Sequence, residues 1–458
     1  MSHETQMLLG LFLGIVLMIV LVMKTKTHTF IALLFAAAVA GLVGGMNPTD
    51  AVTAISDGFG NTLKSTGIII GLGVMLGGIL EKTGAAERLA YSLIKVIGKG
   101  KEEWALGITG WIVSIPVFAD SALVIFRPLT NALSRVTGKS VIGLALALAC
   151  GLQCTHTMVP PTPGPLTSAG MMGVDVGQMI LVGSGLSIPI LIASVLYAKW
   201  IGKKIYQIPH TDGTFERKDF KKEYIKTMDE LDSVMDSKNL PGLAPSVLPI
   251  VLPLFLIFMK TGIGLTSIES GIIYNVITFV GSPIVALAIG TMIAVYGLGS
   301  KMPQKEIINV MNDSIKDTGL IMLITGAGGA LGNVVKVSGI GDVLGEMVVS
   351  WPIPAILIPV IIAALMRIAL GSATVAITTA ASLTAPLVPA LGIAPVILAQ
   401  ASCIGAFSFG YFNDSGFWVF NGMFGLTELK DQLKCKTAVS MVMAGVGVVE
   451  LLILNMFL

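Results

Sequence analysis

Long apolar stretches alternate with short polar ones along this chain, on a scale far longer than the period of a surface helix. Residues 8–23, 30–45, 179–197 and 439–458 are apolar throughout or nearly so, and residues 247–259 with their flanks add another such stretch. About 17 apolar residues are enough for a helix to cross a hydrocarbon core roughly 30 Å thick. The pattern therefore predicts an all-α polytopic membrane protein. Residues 7–23 lack the positive leading segment of a secretion signal, and Lys24 and Lys26 follow the apolar run, so a retained span is expected. The one long polar stretch, residues 202–240, carries eight Lys or Arg and eight Asp or Glu, and reads as a solvated linker between two membrane parts.

The pattern also repeats. "KSTG" at 64–67 returns as "KDTG" at 316–319, and "GGIL" at 77–80 as "GGAL" at 328–331. "DSALV" at 120–124 returns as "GSATV" at 371–375, and "GMMG" at 170–173 as "GMFG" at 422–425. Four matches in order at a nearly constant offset predict two duplicated halves, residues 1–205 and 245–458, joined by a cytoplasmic linker at 206–244.

Each half contains an apolar segment with a polar middle, about 104–136 and 352–389, whose arms are short for a full span. If these segments dip into the membrane and return, the halves are inverted. All but Lys64, Lys260, Lys336 and Arg367 of the 29 Lys and Arg residues then fall on one side, as the positive-inside rule requires. Inverted repeats, each with a re-entrant hairpin and both termini outside, are the expectation. Two short full spans would give the same charge tally.

Each half is interrupted a second time, about 140–173 and 393–425. "CTHTMVPPTPGPLTSAGMMG" at 154–173 holds four prolines within six residues, and "SFGYFNDSGFWVFNG" at 408–422 is its counterpart. Broken backbone in a membrane leaves amide and carbonyl groups that must be buried in protein or wet. Matched interruptions in two halves are the sequence mark of a secondary transporter, with helix ends aimed at an anion. Composition agrees: 54% of residues are hydrophobic and 12% charged, against about 25% charged in ordinary globular domains. A net charge of +2 gives no reason to expect a nucleic-acid partner, and the four cysteines form no metal set, so no cofactor or metal is expected. Ser and His occur in no catalytic arrangement, which disfavours an intramembrane enzyme; a channel is the other rival.

Ionisable side chains in mid-membrane are functional candidates. Asp120, His156 and Asp414 lie in the polar breaks, and their partners in the other half, Gly371, Ser408 and Thr162, are neutral. They are the candidates for proton coupling, although either aspartate can equally cap a helix end. Ser121, Ser372, Thr374, Thr162, Asn413 and Ser415 supply neutral donors suited to a carboxylate and hydroxyls, and are the candidates for substrate binding. Arg367 either pairs with an acid or faces the substrate.

The motifs "HTMVPPTPGPL", "GSATVAITTAA" and "FNDSGFW", in this order and spacing, resemble the gluconate permease (gluconate:proton symporter) family within the ion-transporter superfamily. The resemblance covers essentially the whole chain. It implies proton-coupled import of a small carboxylate, such as a sugar acid or a hydroxy or amino acid, across a bacterial inner membrane. It also implies a homodimer and an elevator-type motion. The motifs do not name the substrate, and sodium coupling or a D-serine-like substrate stays open.

Overall fold

The computed structural model describes every residue except 1, 98–99, 211–213, 218–239, 265–269, 342, 344–352, 412–413 and 457–458. Most of the expected linker thus lies outside the described residues. Among the described residues the regular structure is helical apart from one short antiparallel pair of strands. Its elements are α1 (His3–Met23), α2 (Thr29–Val43), α3 (Pro48–Lys82), α4 (Ala85–Ile97), α5 (Glu102–Val113), α6 (Ala119–Thr137), α7 (Val141–Met158), α8 (Pro163–Met171) and α9 (Val176–Lys204). Strands β1 (Gln207–Pro209) and β2 (Phe215–Arg217) follow. Then come α10 (Leu243–Ile263), α11 (Ile272–Val280), α12 (Pro283–Ile293), α13 (Gln304–Val337), α14 (Ile358–Leu370), α15 (Ala373–Thr384), α16 (Val388–Leu391), α17 (Pro395–Gly405), α18 (Ser415–Met423), α19 (Leu429–Gln432) and α20 (Ala438–Asn455).

Among the described residues, eight helical stretches are long and apolar enough to cross a membrane, and α11 with α12, bent by 63°, makes a ninth if counted as one span. Local chemistry sets their limits. Asn47 accepts from the Thr49 amide at the start of α3, Ser140 from the Ile142 amide before α7, and Asp175 from the Gln178 amide before α9. Gly138 ends α6 and Gly371 ends α14, both left-handed at φ 68° and 76°, where a side chain would be strained.

The long helices α3 and α13 lie against each other, and small residues let them approach. A Cβ built on Gly58 would stand 2.5 Å from the Gly329 carbonyl oxygen. Without water to drive association, close backbone packing is what holds such a pair in lipid. Around it, α7 packs between α5 and α9, and α15 packs against α13, α14 and α8. The stretch from Val141 to Met171, which contains the four-proline break, is the most enclosed of the spans, 89% of its core window being buried. That burial is what allows its backbone to be irregular.

Among the described residues, interruptions fall at 114–118, 159–162, 371–372 and 406–411, inside the four segments singled out by their sequence. At the base of α5 and α7, Lys139 is fastened between two acids. Its Nζ stands 2.7 Å from Glu102 Oε2 and 2.5 Å from Glu103 Oε2, with side-chain exposures of 7%, 4% and 11% respectively, and it also donates to the Gly100 carbonyl at 3.0 Å. Burial pulls the Lys139 ammonium down, but its bonds to Glu102 and Glu103 outweigh this and hold it above its ordinary 10.5. Its stabilising contribution is therefore complete at neutral pH and lost only in the alkaline range above that value. Lys139→Met leaves two buried carboxylates uncompensated, and thermal unfolding in detergent should show a loss of about 3 kcal/mol at pH 7.

Candidate functional site

Three of the four interruptions meet at one cavity of about 390 Å³. The first turn of α6 contributes Phe118, Ala119 and Asp120, the start of α15 contributes Ser372, Ala373 and Thr374, and the start of α18 contributes Asp414 and Gly416. The last turn of α14 adds Arg367, Leu370 and Gly371, α7 adds Gln153 and His156 from its side, and α13 adds Ile321. Three helix N-termini thus open on the same space, each presenting amide groups and the positive end of its dipole. Two of them are capped by cavity residues. Ser372 Oγ accepts from the Val375 amide at 3.4 Å, and Asp414 Oδ1 from the Gly416 amide at 3.1 Å.

Charge in the cavity is arranged around Arg367, which is 4% exposed. Its Nη2 donates to Asp414 Oδ2 at 2.6 Å, and its Nη1 to the carbonyl of Gly371, an end-of-helix oxygen with no intrahelical donor. Its Nε has no hydrogen-bond partner among the described residues. Asp120 and Asp414 flank Gly416, where an added Cβ would stand 3.1 Å from Asp120 Oδ1 and 3.6 Å from Asp414 Oδ1. The His156 ring lies 5.6 Å from that of Phe118, and its Nδ1 is buried without a partner among the described residues. Gln153 Nε2 donates to Thr157 Oγ1 at 2.8 Å. Behind the ion pair lies a chamber of about 30 Å³, room for a water molecule, which Gln153, Arg367 and Asp414 share with the main cavity and which Cys150, Lys436 and Ser440 close.

The three candidates for proton coupling, Asp120, His156 and Asp414, therefore stand together, and Ser372 and Thr374 stand with them. Others do not. Thr162 is buried and donates to its own Val159 carbonyl at 2.7 Å, the local bond a hydroxyl in a membrane helix readily makes. It lies with Pro161 and Pro163 in a separate small pocket against Ile115–Phe118, and Phe118 is the lining residue this pocket shares with the cavity. Ser121 is half-buried and does not line the cavity. Asn413 lies outside the described residues, and so does the side chain of Ser415, whose backbone begins α18. Reading by sequence missed Gln153, which sits in the apolar-looking α7 one turn before Thr157, and left Arg367 undecided. It also passed over Glu450 on α20, whose Oε2 is buried without a partner among the described residues, away from the cavity.

A polar cavity among the ends of interrupted helices, inside a bundle of eight or more apolar spans, places the protein among the multi-pass membrane transporters. Sequence comparison narrows this. The chain matches the GntP family permease profile over residues 6–457 and belongs to that family. It is 43% identical over 462 residues to an uncharacterized permease of Haemophilus influenzae, covering 98% of this chain and 92% of that one. It is 31% identical over 462 residues to the gluconate permease of Pseudomonas aeruginosa, covering 100% of this chain and 99% of that one. Its fold is similar to that of the Neisseria gonorrhoeae MtrF antimetabolite efflux pump, with a TM-score of 0.63 over 94% of this chain and 96% of that one; at 14% identity this likeness concerns the fold alone.

A buried ion pair in a cavity wall should be strongly coupled. Removing the guanidinium alone by Arg367→Gln leaves the Asp414 carboxylate uncompensated, while Arg367→Gln with Asp414→Asn removes both charges. A double-mutant cycle by thermal unfolding should give a coupling of about 3 kcal/mol.

Proposed function

We propose that the protein is a secondary active transporter that imports gluconate, or a closely related small hydroxy or sugar acid, by proton symport across a bacterial inner membrane. The observation that carries this reading is the cavity itself. It is of the size that ligand sites commonly have, about 300–1,000 Å³. It presents three helix N-termini and an arginine to a carboxylate, hydroxyl and amide groups to a polyol chain, and two carboxylates and a histidine to a proton. Full-length similarity to a gluconate permease supports the substrate class. The duplicated sequence motifs and the one-sided distribution of Lys and Arg support two inverted halves, each with a re-entrant hairpin, and termini on the outer face. In this reading the cavity moves with its hairpins relative to a dimeric scaffold, in an elevator-type alternation.

Uptake by proteoliposomes decides the coupling. An inward proton gradient, without sodium, should drive accumulation of labelled gluconate; accumulation that follows a sodium gradient and ignores pH would replace the proton by sodium. Thr374→Val should weaken gluconate affinity about tenfold, the value of one lost hydrogen bond near 1.4 kcal/mol. Thr162→Val and Ser121→Ala should leave it unchanged. The topology has its own check: single cysteines at Ser2 and Thr214 should be labelled by an impermeant reagent from opposite sides, because an odd number of crossings in the first half separates them, and labelling of both from one side would rule out the inverted halves.

A further inference from the structure

The Asp414 carboxylate holds a place in the cavity wall that a free carboxylate could hold equally well. Among the described residues that line the cavity, Arg367 is the one arginine or lysine, and it is committed to a carboxylate of the protein itself, at 2.6 Å. The bond is one-sided. Nη2 takes Oδ2, Nη1 is turned to the Gly371 carbonyl, and Nε is left without a hydrogen-bond partner among the described residues. A guanidinium can grip a carboxylate through two parallel N–H bonds, and this one has only a single bond to its acid. Asp414 in turn is the N-cap of a helix that follows an interruption, where its other oxygen holds the Gly416 amide at 3.1 Å.

We propose that Arg367 is the receptor for the substrate carboxylate, that Asp414 is its internal stand-in, and that the two carboxylates exchange on Arg367 as Asp414 takes up the transported proton. The inference rests on the transport reading given above and adds to it the residue that binds the anion and the reason that anion and proton travel together.

Charge explains the linkage. The groups facing Asp414 are Arg367 of α14, Asp120 of α6 and His156 of α7 in the cavity, and Lys436, between α19 and α20, across the small chamber. Tyr411, just before it in the chain, donates its hydroxyl to the Ile368 carbonyl at 3.0 Å. With both aspartates ionised, an entering carboxylate meets two negative charges and one positive charge in the main cavity and finds Arg367 occupied. A proton placed on Asp414 removes one negative charge, and the guest restores it on the same guanidinium. The cavity's charge is then the same before and after loading, and one proton accompanies one carboxylate. Neutral Asp414 keeps its capping bond to the Gly416 amide, because that bond uses Oδ1, so α18 need not unravel during the exchange.

Small carboxylates probe the receptor whatever carbon skeleton the transported acid carries. In Asp414→Ala, Arg367 has lost its stand-in, and acetate or formate should raise the melting temperature of the purified protein in a dose-dependent way, while chloride at equal ionic strength does not. At pH 8, wild type, in which Asp414 occupies Arg367, and the Arg367→Gln, Asp414→Ala double variant should show no carboxylate-specific rise. A rise of equal size in the double variant, or none in the single variant, overturns the assignment of Arg367. Asp414→Asn keeps the capping acceptor and serves if the alanine variant fails to fold. At pH 8 it should bind gluconate about tenfold or more tighter than wild type, because the competing charged bond is gone, and its affinity should no longer depend on pH. Wild-type pH dependence retained in Asp414→Asn overturns the exchange. Should Asp414→Ala respond to acetate while wild type takes up no gluconate, the substrate named above falls and the receptor stands.

Discussion

An apolar surrounding offers nothing to a free amide or carbonyl, and every interruption of a helix in this protein creates several of both. How those groups are satisfied determines the rest of the structure. At the carboxyl ends, carbonyls left at helix ends and breaks are taken by side chains, three of them from distant parts of the chain. Gln400 donates to Met158 at 3.0 Å, Gln207 to Phe424 at 2.6 Å, Thr437 to Gly410 at 2.8 Å, and Arg367 to Gly371. At the amino ends, Ser372 and Asp414 accept from amides of their own helices. The bonds from Gln400, Gln207 and Thr437 fasten residues distant in sequence, and the helix ends are thereby fixed in position rather than loosely kinked.

The same arrangement makes the cavity selective in charge. Three helix starts converge there, and each favours an anion. The protein answers that preference with its own aspartates, Asp120 and Asp414, and balances them in part with Arg367. The resulting site has little excess charge of either sign, which suits a carrier: a guest held by a strong unbalanced field would be released slowly. The GntP family permease assignment fits a site of this kind, built from several modest interactions around one guanidinium.

Packing of small residues does the remaining work. The approach of Gly58 to the Gly329 backbone brings α3 and α13 together, and α13 in turn supplies Ile321 to the cavity wall. At the base of α5 and α7, the buried ions of Lys139, Glu102 and Glu103 tie the turn after α6 to the start of α5. The strand pair β1–β2 adds to this edge, with Ser140 Oγ donating to the Ile205 carbonyl at 2.8 Å and Arg217 meeting Asp431 at 2.6 Å. Helices whose middles are interrupted are thus held firmly at their ends.

The apolar stretches alone determined that the chain is a helical membrane protein, because the length needed to cross a bilayer is a property of local composition. Local chemistry also located the four interruptions, since proline, glycine and a polar run act on the backbone where they stand. The grouping of Asp120, His156, Asp414, Ser372 and Thr374 was legible for the same reason: each sits in or beside a break, and the breaks meet. What only the tertiary structure decided is which polar group faces which. Thr162 looked equivalent to Asp414 by position, yet it spends its hydroxyl on Val159 while Asp414 reaches Arg367, 47 residues away in sequence. Gln153 carried no signal at all, because a lone glutamine in an apolar helix has the same sequence context whether it faces a cavity or a neighbour. The partner of Arg367 was undecidable for the physical reason that a side-chain contact depends on the relative placement of two helices, which no periodicity within either of them encodes.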